Sequence, residues 1–427
     1  MKKIALLILS VLFTASLYAQ TEPGNYASVL SRFKQFYNGN KPDSIFTMFS
    51  PEMKSALPAD KWTLTTTQLR GQLGDLQKTD FTSYNSPLAI YDATFQNAVF
   101  LLYLTLNDKG EIAGLFIKPK PAVTTTLEVD PSVTESPIAF KTLSGTISGT
   151  LTMPKAATGK VPVVLIIAGS GPTDRDGNNN MGLNTNAYKM LAYALGKNGI
   201  ASLRYDKRMI GQSASAAKED DLRFEDYIDD AVGLIGMLND DGRFSDVIVA
   251  GHSEGSLVGM MAAKDEPVKA FISLAGAGEP GEKIMTDQMK DKPEYIKINF
   301  HSIIDSLRKG KINPNVDPQL YALARPSIQQ YLMSWCRYNP QVEIRKLKIP
   351  VLIVQGTTDL QVGVDNAQKL KNTARSNAVL ILIRGMNHIL KDAPPDSDKN
   401  MATYKDPTLP LDAQLVTSVV DFIKAQE

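Results

Sequence analysis

Val247-Ile248-Val249-Ala250-Gly251-His252-Ser253-Glu254-Gly255-Ser256-Leu257-Val258-Gly259-Met260-Met261 decides how this chain folds. Residues 247–250 form a short, continuous apolar run, the pattern of a strand buried on both faces. From residue 254 the apolar positions recur at helical spacing, which predicts a helix over 254–264. Only Gly251-His252-Ser253 lies between them, so the chain must turn sharply within Gly251-His252-Ser253-Glu254-Gly255. In so tight a turn the residues two before and two after the serine crowd one another, and both must lack side chains. The bland reading is a loop serine between two convenient glycines. A G-x-S-x-G string arises by chance about 0.1 times in a chain of this glycine content, and the strand–turn–helix context lowers that further. Ser253 is the candidate nucleophile.

Outward from this turn, strands and helices alternate. Strands are predicted at 163–167, 200–205, 268–275, 351–355 and 378–383, and helices at 186–197, 224–238 and 411–424. Pro162 marks the start of the first of these strands. Residues 140–152 alternate around Gly145 and Gly149 as a hairpin should. Such alternation implies an α/β fold, a mostly parallel sheet covered by helices on both faces. Residues 279–347 hold no strand signal and read as a helical lid insert, too long for an ordinary connection.

A serine nucleophile needs a base, and the chain has 3 histidines. His252 adjoins Ser253 and is expected to point away from it, towards the sheet. His301 lies in the helical insert. His388, in the loop after the last strand, can swing over the carboxyl edge of the sheet and is the candidate base. The orienting acid is expected at Asp359, which ends the loop after strand 351–355; the rival Asp365 suits the first turn of the following helix. Developing negative charge on the tetrahedral intermediate needs backbone N–H donors, expected from Glu254 and Ser170. Gly169, Gly171, Arg175 and Asp176 are read as pocket wall. The alternative for the two glycines is a plain turn or an incomplete dinucleotide loop, because position 174 is Asp.

These stretches resemble the bacterial α/β-hydrolase carboxylesterases grouped with serine aminopeptidase-like proteins. The likeness covers residues 138–427 and rests on Ala168-Gly169-Ser170-Gly171-Pro172-Thr173-Asp174-Arg175-Asp176-Gly177-Asn178, Arg204-Tyr205-Asp206-Lys207-Arg208, the serine turn, Gln355-Gly356-Thr357-Thr358-Asp359 and Gly385-Met386-Asn387-His388. It implies the α/β-hydrolase fold, activity on short acyl esters, no cofactor, and Ser253, Asp359 and His388 as the triad. Met209 departs from the pattern, which has Gly after Lys-Arg. Residues 21–118 read as a small α+β domain, with helices at 26–37 and 62–73 and alternating segments at 89–91, 98–106 and 112–117. They resemble an exported domain of the cone-shaped nuclear-transport-factor fold, and residues 119–137 read as a linker.

Residues 1–19 read as a signal peptide: Lys2 and Lys3, an apolar run over 4–12, then Ala15, Ser16 and Ala19. The expected cut follows Ala19, although Leu17 is larger than the usual pattern. No Cys stands near the cut to accept a lipid. The run is too short for a membrane span, so a periplasmic or secreted protein is expected. The single cysteine, Cys336, rules out an internal disulfide and reads as a buried apolar residue beside Trp335. With 46 Lys+Arg against 45 Asp+Glu, nothing calls for a nucleic-acid partner. Asp174, Asp176, Asn178 and Asn179 invite a calcium reading, but Gly177 comes too early for such a loop, and no metal is expected. Arg204, Lys207 and Arg208 read as a solvated basic turn. The expected partner is a small-molecule ester. A peptidase reading would draw on Glu279, Glu282 and Asp287, and a third reading makes the N-terminal domain a binding module.

Overall fold

A computed structural model describes residues 21–119, 127–179, 182–375 and 378–426. The expected signal peptide and most of the expected linker's first half lie outside these residues. The chain divides into two compact units, at residues 120 and 121.

In the N-terminal unit, helices Gly24–Asn38, Pro42–Thr47, Pro51–Ala56 and Ala59–Leu73 precede four strands. These are β1 (Leu76–Asn85), β2 (Leu88–Phe95), β3 (Val99–Leu106) and β4 (Ile112–Pro119), paired in chain order as an antiparallel meander. Tyr26, Leu30, Phe33 and Tyr37 turn one face of the first helix to the core, where they meet Tyr91, Phe95 and Leu102 from the sheet. Strand β1 went unread in the sequence because Leu76 is its only buried residue and Lys78 and Asp80 break the alternation.

The C-terminal unit is built on nine strands: β5 (Val133–Lys141), β6 (Gly145–Pro154), β7 (Val161–Ile167), β8 (Ala201–Tyr205), β9 (Ala214–Ser215), β10 (Phe244–His252), β11 (Ala270–Leu274), β12 (Val351–Gly356) and β13 (Ala378–Ile383). Their order is β13-β12-β11-β10-β7-β8-β6-β5, with β9 beside β6. Pairs from β13 to β8 are parallel, and β6 is antiparallel to both its neighbours in that order. Strand β5 begins at Val133, so the expected linker runs five residues too far. Pro137 is accommodated because β5 is an edge strand with no partner on its outer side among the described residues.

Alternation along β7 shows how one strand serves two cores. Val163, Leu165 and Ile167 join the layer that packs on helices Phe224–Asn239 and Glu254–Ala262. Val164 and Ile166 join the opposite layer, under Ala187–Lys197 and Ala413–Lys424. This is the α/β-hydrolase architecture, preceded by a unit with a four-stranded antiparallel sheet. Its consequence for function is positional. The loops after β7, β10, β12 and β13 all leave the same carboxyl edge of the sheet.

The segment between β11 and β12 carries five helices, among them Gly281–Gln288, Glu294–Arg308 and Gln329–Trp335. They enclose a core of their own around Phe300, Ile303, Leu307 and Leu332. Among the described residues no helix is long and apolar enough to cross a membrane.

Candidate active site

At the serine turn, a Cβ on Gly251 would meet the Gly255 carbonyl oxygen at 2.1 Å, and one on Gly255 would meet the Ala168 oxygen at 2.5 Å. Neither glycine can carry a side chain. Ser253 itself sits at φ 54°, ψ −122°, in backbone space that L residues rarely adopt. The strain lifts its side chain off the end of β10. The N–H of Glu254 is the first of its helix and has no intrahelical acceptor.

His388 Nε2 lies 3.1 Å from Ser253 Oγ, and His388 Nδ1 lies 2.8 Å from Asp359 Oδ2. Asp359 is fully enclosed and accepts at every lone-pair direction on offer. Its Oδ2 also accepts from Gln355 Nε2 at 2.9 Å, and its Oδ1 from the N–H groups of Gln361 and Val362 at 2.8 and 2.9 Å. Burial pushes this carboxyl up, but His388 and these donors outweigh it and hold the group below its usual range. Asp365 instead pairs with Lys369 on the first turn of helix Val364–Thr373. His301 lies exposed on the insert. Asn387 anchors the loop that carries His388: its side-chain amide donates to Asn400 and Thr403, and its oxygen accepts from the Lys391 N–H.

His252 has a part that the sequence did not disclose. It is buried against Tyr188 and His388, with Nδ1 2.8 Å from the Tyr188 hydroxyl and Nε2 2.7 Å from the His388 carbonyl. A carbonyl only accepts, so Nε2 carries the proton and Nδ1 accepts from Tyr188. Burial, with His388 alongside, pushes the ring's pKa down to about 3 and keeps it neutral. The Tyr188 oxygen in turn accepts from the Gly169 N–H at 3.1 Å. One neutral relay therefore ties the loop after β7 to the backbone of His388. Tyr188→Phe removes the relay's central hydroxyl and leaves Gly169 N–H without its partner. The expected result is a fall of about tenfold in kcat with little change in KM, read from steady-state kinetics on an ester. An equal rise in KM with kcat intact would mean the relay shapes binding rather than alignment.

The basic stretch after β8 is not a solvated turn. Arg204, Lys207 and Arg208 are all buried. Arg204 pairs with Glu135 and Asp176, Arg208 with Asp230, and Lys207 donates to the Gly169 carbonyl at 2.6 Å. Arg175 and Asp176 are also misplaced by the sequence reading. Arg175 is ion-paired with Asp206 and bonded to Thr150, and Asp176 is taken by Arg204, so neither lines a cavity at Ser253. Charges this close to the sheet edge persist by pairing with one another, which leaves them unavailable to a ligand. Met209 adopts φ 65°, the left-handed conformation in which glycine is unstrained, and its side chain lines the cavity beside Ser253. Cys336 is only half-buried, on the insert, with its thiol pushed up by burial to about 12.

Asp174 closes the loop after β7, its Oδ1 accepting from the N–H groups of Asp176 and Asn178, both at 2.9 Å. Burial pushes its pKa up to about 6, against the pull of those donors and with Asp176 adding to the rise. An acid whose folded pKa lies above the unfolded one stabilises the fold at low pH. That contribution fades as pH climbs from about 4 through about 6. Asp174→Asn keeps the accepting oxygen and removes the charge. It is expected to raise stability by about 1–2 kcal/mol at pH 7.5 and to gain nothing at pH 4, measured as urea midpoints. Equal losses at both pH values would show that the carboxylate carries no penalty.

Two cavities meet at Ser253. One, of about 330 Å³, is walled by Ser170, Glu254, Leu257, Tyr331 and Trp335; the other, of about 700 Å³, by His388, Ile389, Met401 and Tyr404. The loop after β7 supplies Gly171 to the first cavity, Gly169 to the second and Ser170 to both.

Residues 180–322 match the family model "Serine aminopeptidase, S33", and residues 31–115 match "Protein of unknown function (DUF3887)". Esterase EstD of Thermotoga maritima is 27% identical over 371 residues, covering 84% of this chain and 86% of that protein. The chain is a serine hydrolase. Among solved structures, Est1E of Butyrivibrio proteoclasticus with bound ferulic acid is 20% identical, over 68% of this chain and 98% of that one, with TM-score 0.47. The α/β hydrolase GrgF of Penicillium sp. sh18 is 16% identical, over 69% and 99%, with TM-score 0.48. The hydrolase is esterase-like, and the match to the Thermotoga maritima esterase is long enough to reach into both of its units.

Proposed function

We propose that this hydrolase cleaves carboxylic esters of short-chain acids through an acyl-enzyme, with Ser253 as nucleophile, His388 as base and Asp359 as orienting acid. The observation that carries the reading is the continuous chain from Ser253 Oγ to His388 Nε2 at 3.1 Å and from His388 Nδ1 to Asp359 Oδ2 at 2.8 Å. As Oγ bonds to the ester carbonyl carbon, Nε2 takes the Oγ proton. The carbonyl oxygen gains the electron pair and is met by the N–H groups of Ser170 and Glu254. When that pair returns, the C–O bond to the alcohol breaks and Nε2 protonates the departing oxygen. Water then repeats the sequence on the acyl-enzyme. Asp359 stays ionised throughout and steadies the imidazolium.

A small, mostly apolar cavity beside the nucleophile supports a short acyl group. The family model favours a second reading, an exported peptidase of aminopeptidase type. Two of its candidate acids are already engaged, Glu279 with Lys283 and Lys369 and Glu282 with Arg308, and amides are poorer leaving groups. The basic, apolar and small-residue order of residues 1–19 supports export, and helices followed by an antiparallel sheet support a cone-like accessory domain at the N-terminus. The test is a chain-length series of nitrophenyl esters beside aminoacyl anilides. Turnover confined to anilides would replace the esterase reading with the peptidase one.

A further inference from the structure

Among the buried basic residues at the sheet edge, Lys207 stands apart. Arg204 and Arg208 meet carboxylates, whereas Lys207, 3% exposed, forms no ion pair among the described residues. Burial pushes its pKa down, and the Glu254 carboxyl, acting through space, pulls it up. A lysine in such a place is costly to keep, and the proposed chemistry gives it no part. Among the described residues its Nζ has one hydrogen-bond partner, the Gly169 carbonyl at 2.6 Å.

That carbonyl shares its peptide unit with the Ser170 N–H. The unit is trans, and in a planar trans peptide the C=O and the N–H point in opposite directions. Whatever grips the carbonyl on one edge therefore sets where the N–H faces on the other. The unit lies against the nucleophile, since a Cβ on Gly169 would meet Ser253 Cβ at 3.1 Å. Ser170 lines both cavities that meet at Ser253, and Lys207 lines only the first. No group among the described residues accepts from the Ser170 N–H. Turned over, the same peptide would present its carbonyl oxygen to the developing negative charge, and Gly169, having no Cβ, resists such a turn least. The Tyr188 hydroxyl holds the Gly169 N–H but leaves the following peptide free to rotate. We infer that Lys207 is a positioning residue: by holding the Gly169 carbonyl it aims the Ser170 N–H at the oxygen that gains charge when Ser253 attacks. The inference rests on the esterase reading.

The experiment uses Lys207→Met, of similar length and without a donor, and Lys207→Gln, which keeps a donor on a shorter arm. Rates on a short nitrophenyl ester are counted per serine titrated to completion with a fluorophosphonate, so unfolded protein does not enter them. A trifluoromethyl ketone of matching chain length gives a second readout, because it adds to the serine and carries the oxyanion. The corresponding trifluoromethyl alcohol has nearly the same shape and cannot add. Lys207→Met is expected to lower kcat by about 30- to 100-fold. Acylation and deacylation both pass through an oxyanion, so KM should move by less than about threefold. The ketone should weaken by a factor similar to that in kcat while the alcohol binds as before, and Lys207→Gln should lose less. A kcat within about threefold of wild type in Lys207→Met overturns the inference. A loss carried by KM overturns it too, as does a fall in kcat that leaves the ketone's affinity intact. If esters turn over and Ser253→Ala stops them, such a result sinks this inference alone. If no ester turns over, or Ser253→Ala is unimpaired, the esterase reading falls and takes the inference with it.

Discussion

Ser253→Ala is expected to lower kcat on a short nitrophenyl ester by at least about 10⁴-fold, with KM little changed. Oγ lies 3.1 Å from His388 Nε2, and its loss removes the bond-forming step altogether. The N–H groups of Ser170 and Glu254, proposed as donors to the oxyanion, belong to the backbone and survive, so a small residual rate over water should remain. The fold should survive too. The strain at φ 54° belongs to the turn, and alanine bears it no worse than serine. Steady-state rates together with a thermal melt check both halves. Retained activity in a folded Ser253→Ala protein would remove Ser253 from the chemistry.

The second large effect is expected from Asp359→Asn, at about 10³- to 10⁴-fold in kcat. The reason is a proton in the wrong place. The N–H groups of Gln361 and Val362 both donate to Oδ1, so an asparagine keeps its oxygen there and turns its amide NH2 towards His388 Nδ1. Nδ1 must then accept, which puts the ring proton on Nε2, facing Ser253. A base that already carries the proton cannot remove another. The same NH2 faces the Gln355 amide donor, so a modest loss of stability should accompany the change. Rates across pH, with a melt at each point, check this. A loss smaller than tenfold would show that His388 does not depend on Asp359 for its tautomer.

Much of the fold was legible because its signals are local. The apolar run of β10, the glycines that the turn cannot do without and the helix that follows are neighbours in sequence, and steric exclusion acts between neighbours. The same holds for β7, whose every-other-residue split between two layers follows from strand geometry alone. Strand β1 was hidden because its residues are mostly polar, and the edge residues 133–137 because proline masked the strand. That Ser253, His388 and Asp359 would be brought together could be read because the chain offers few histidines and because each falls in a loop after a strand. Arg175, Asp176 and the basic stretch 204–208 were misjudged. A charged residue's sequence neighbours do not tell whether it faces water or a partner.

The sequence by itself determined the strand–turn–helix unit, the strained serine, the parallel sheet and the set of loops at its carboxyl edge, because short-range sterics and hydrophobic periodicity are written residue by residue. Only the tertiary structure decided the interior charge network and the supports of the site. Arg204 finds Glu135 across 69 positions of chain, and Arg208 finds Asp230 across 22. Tyr188 reaches His252 across 64 positions, and Lys207 reaches the Gly169 carbonyl across 38. Burial turns each of these polar groups from a neutral presence into a requirement for one particular partner, and that requirement exists only once the layers have closed.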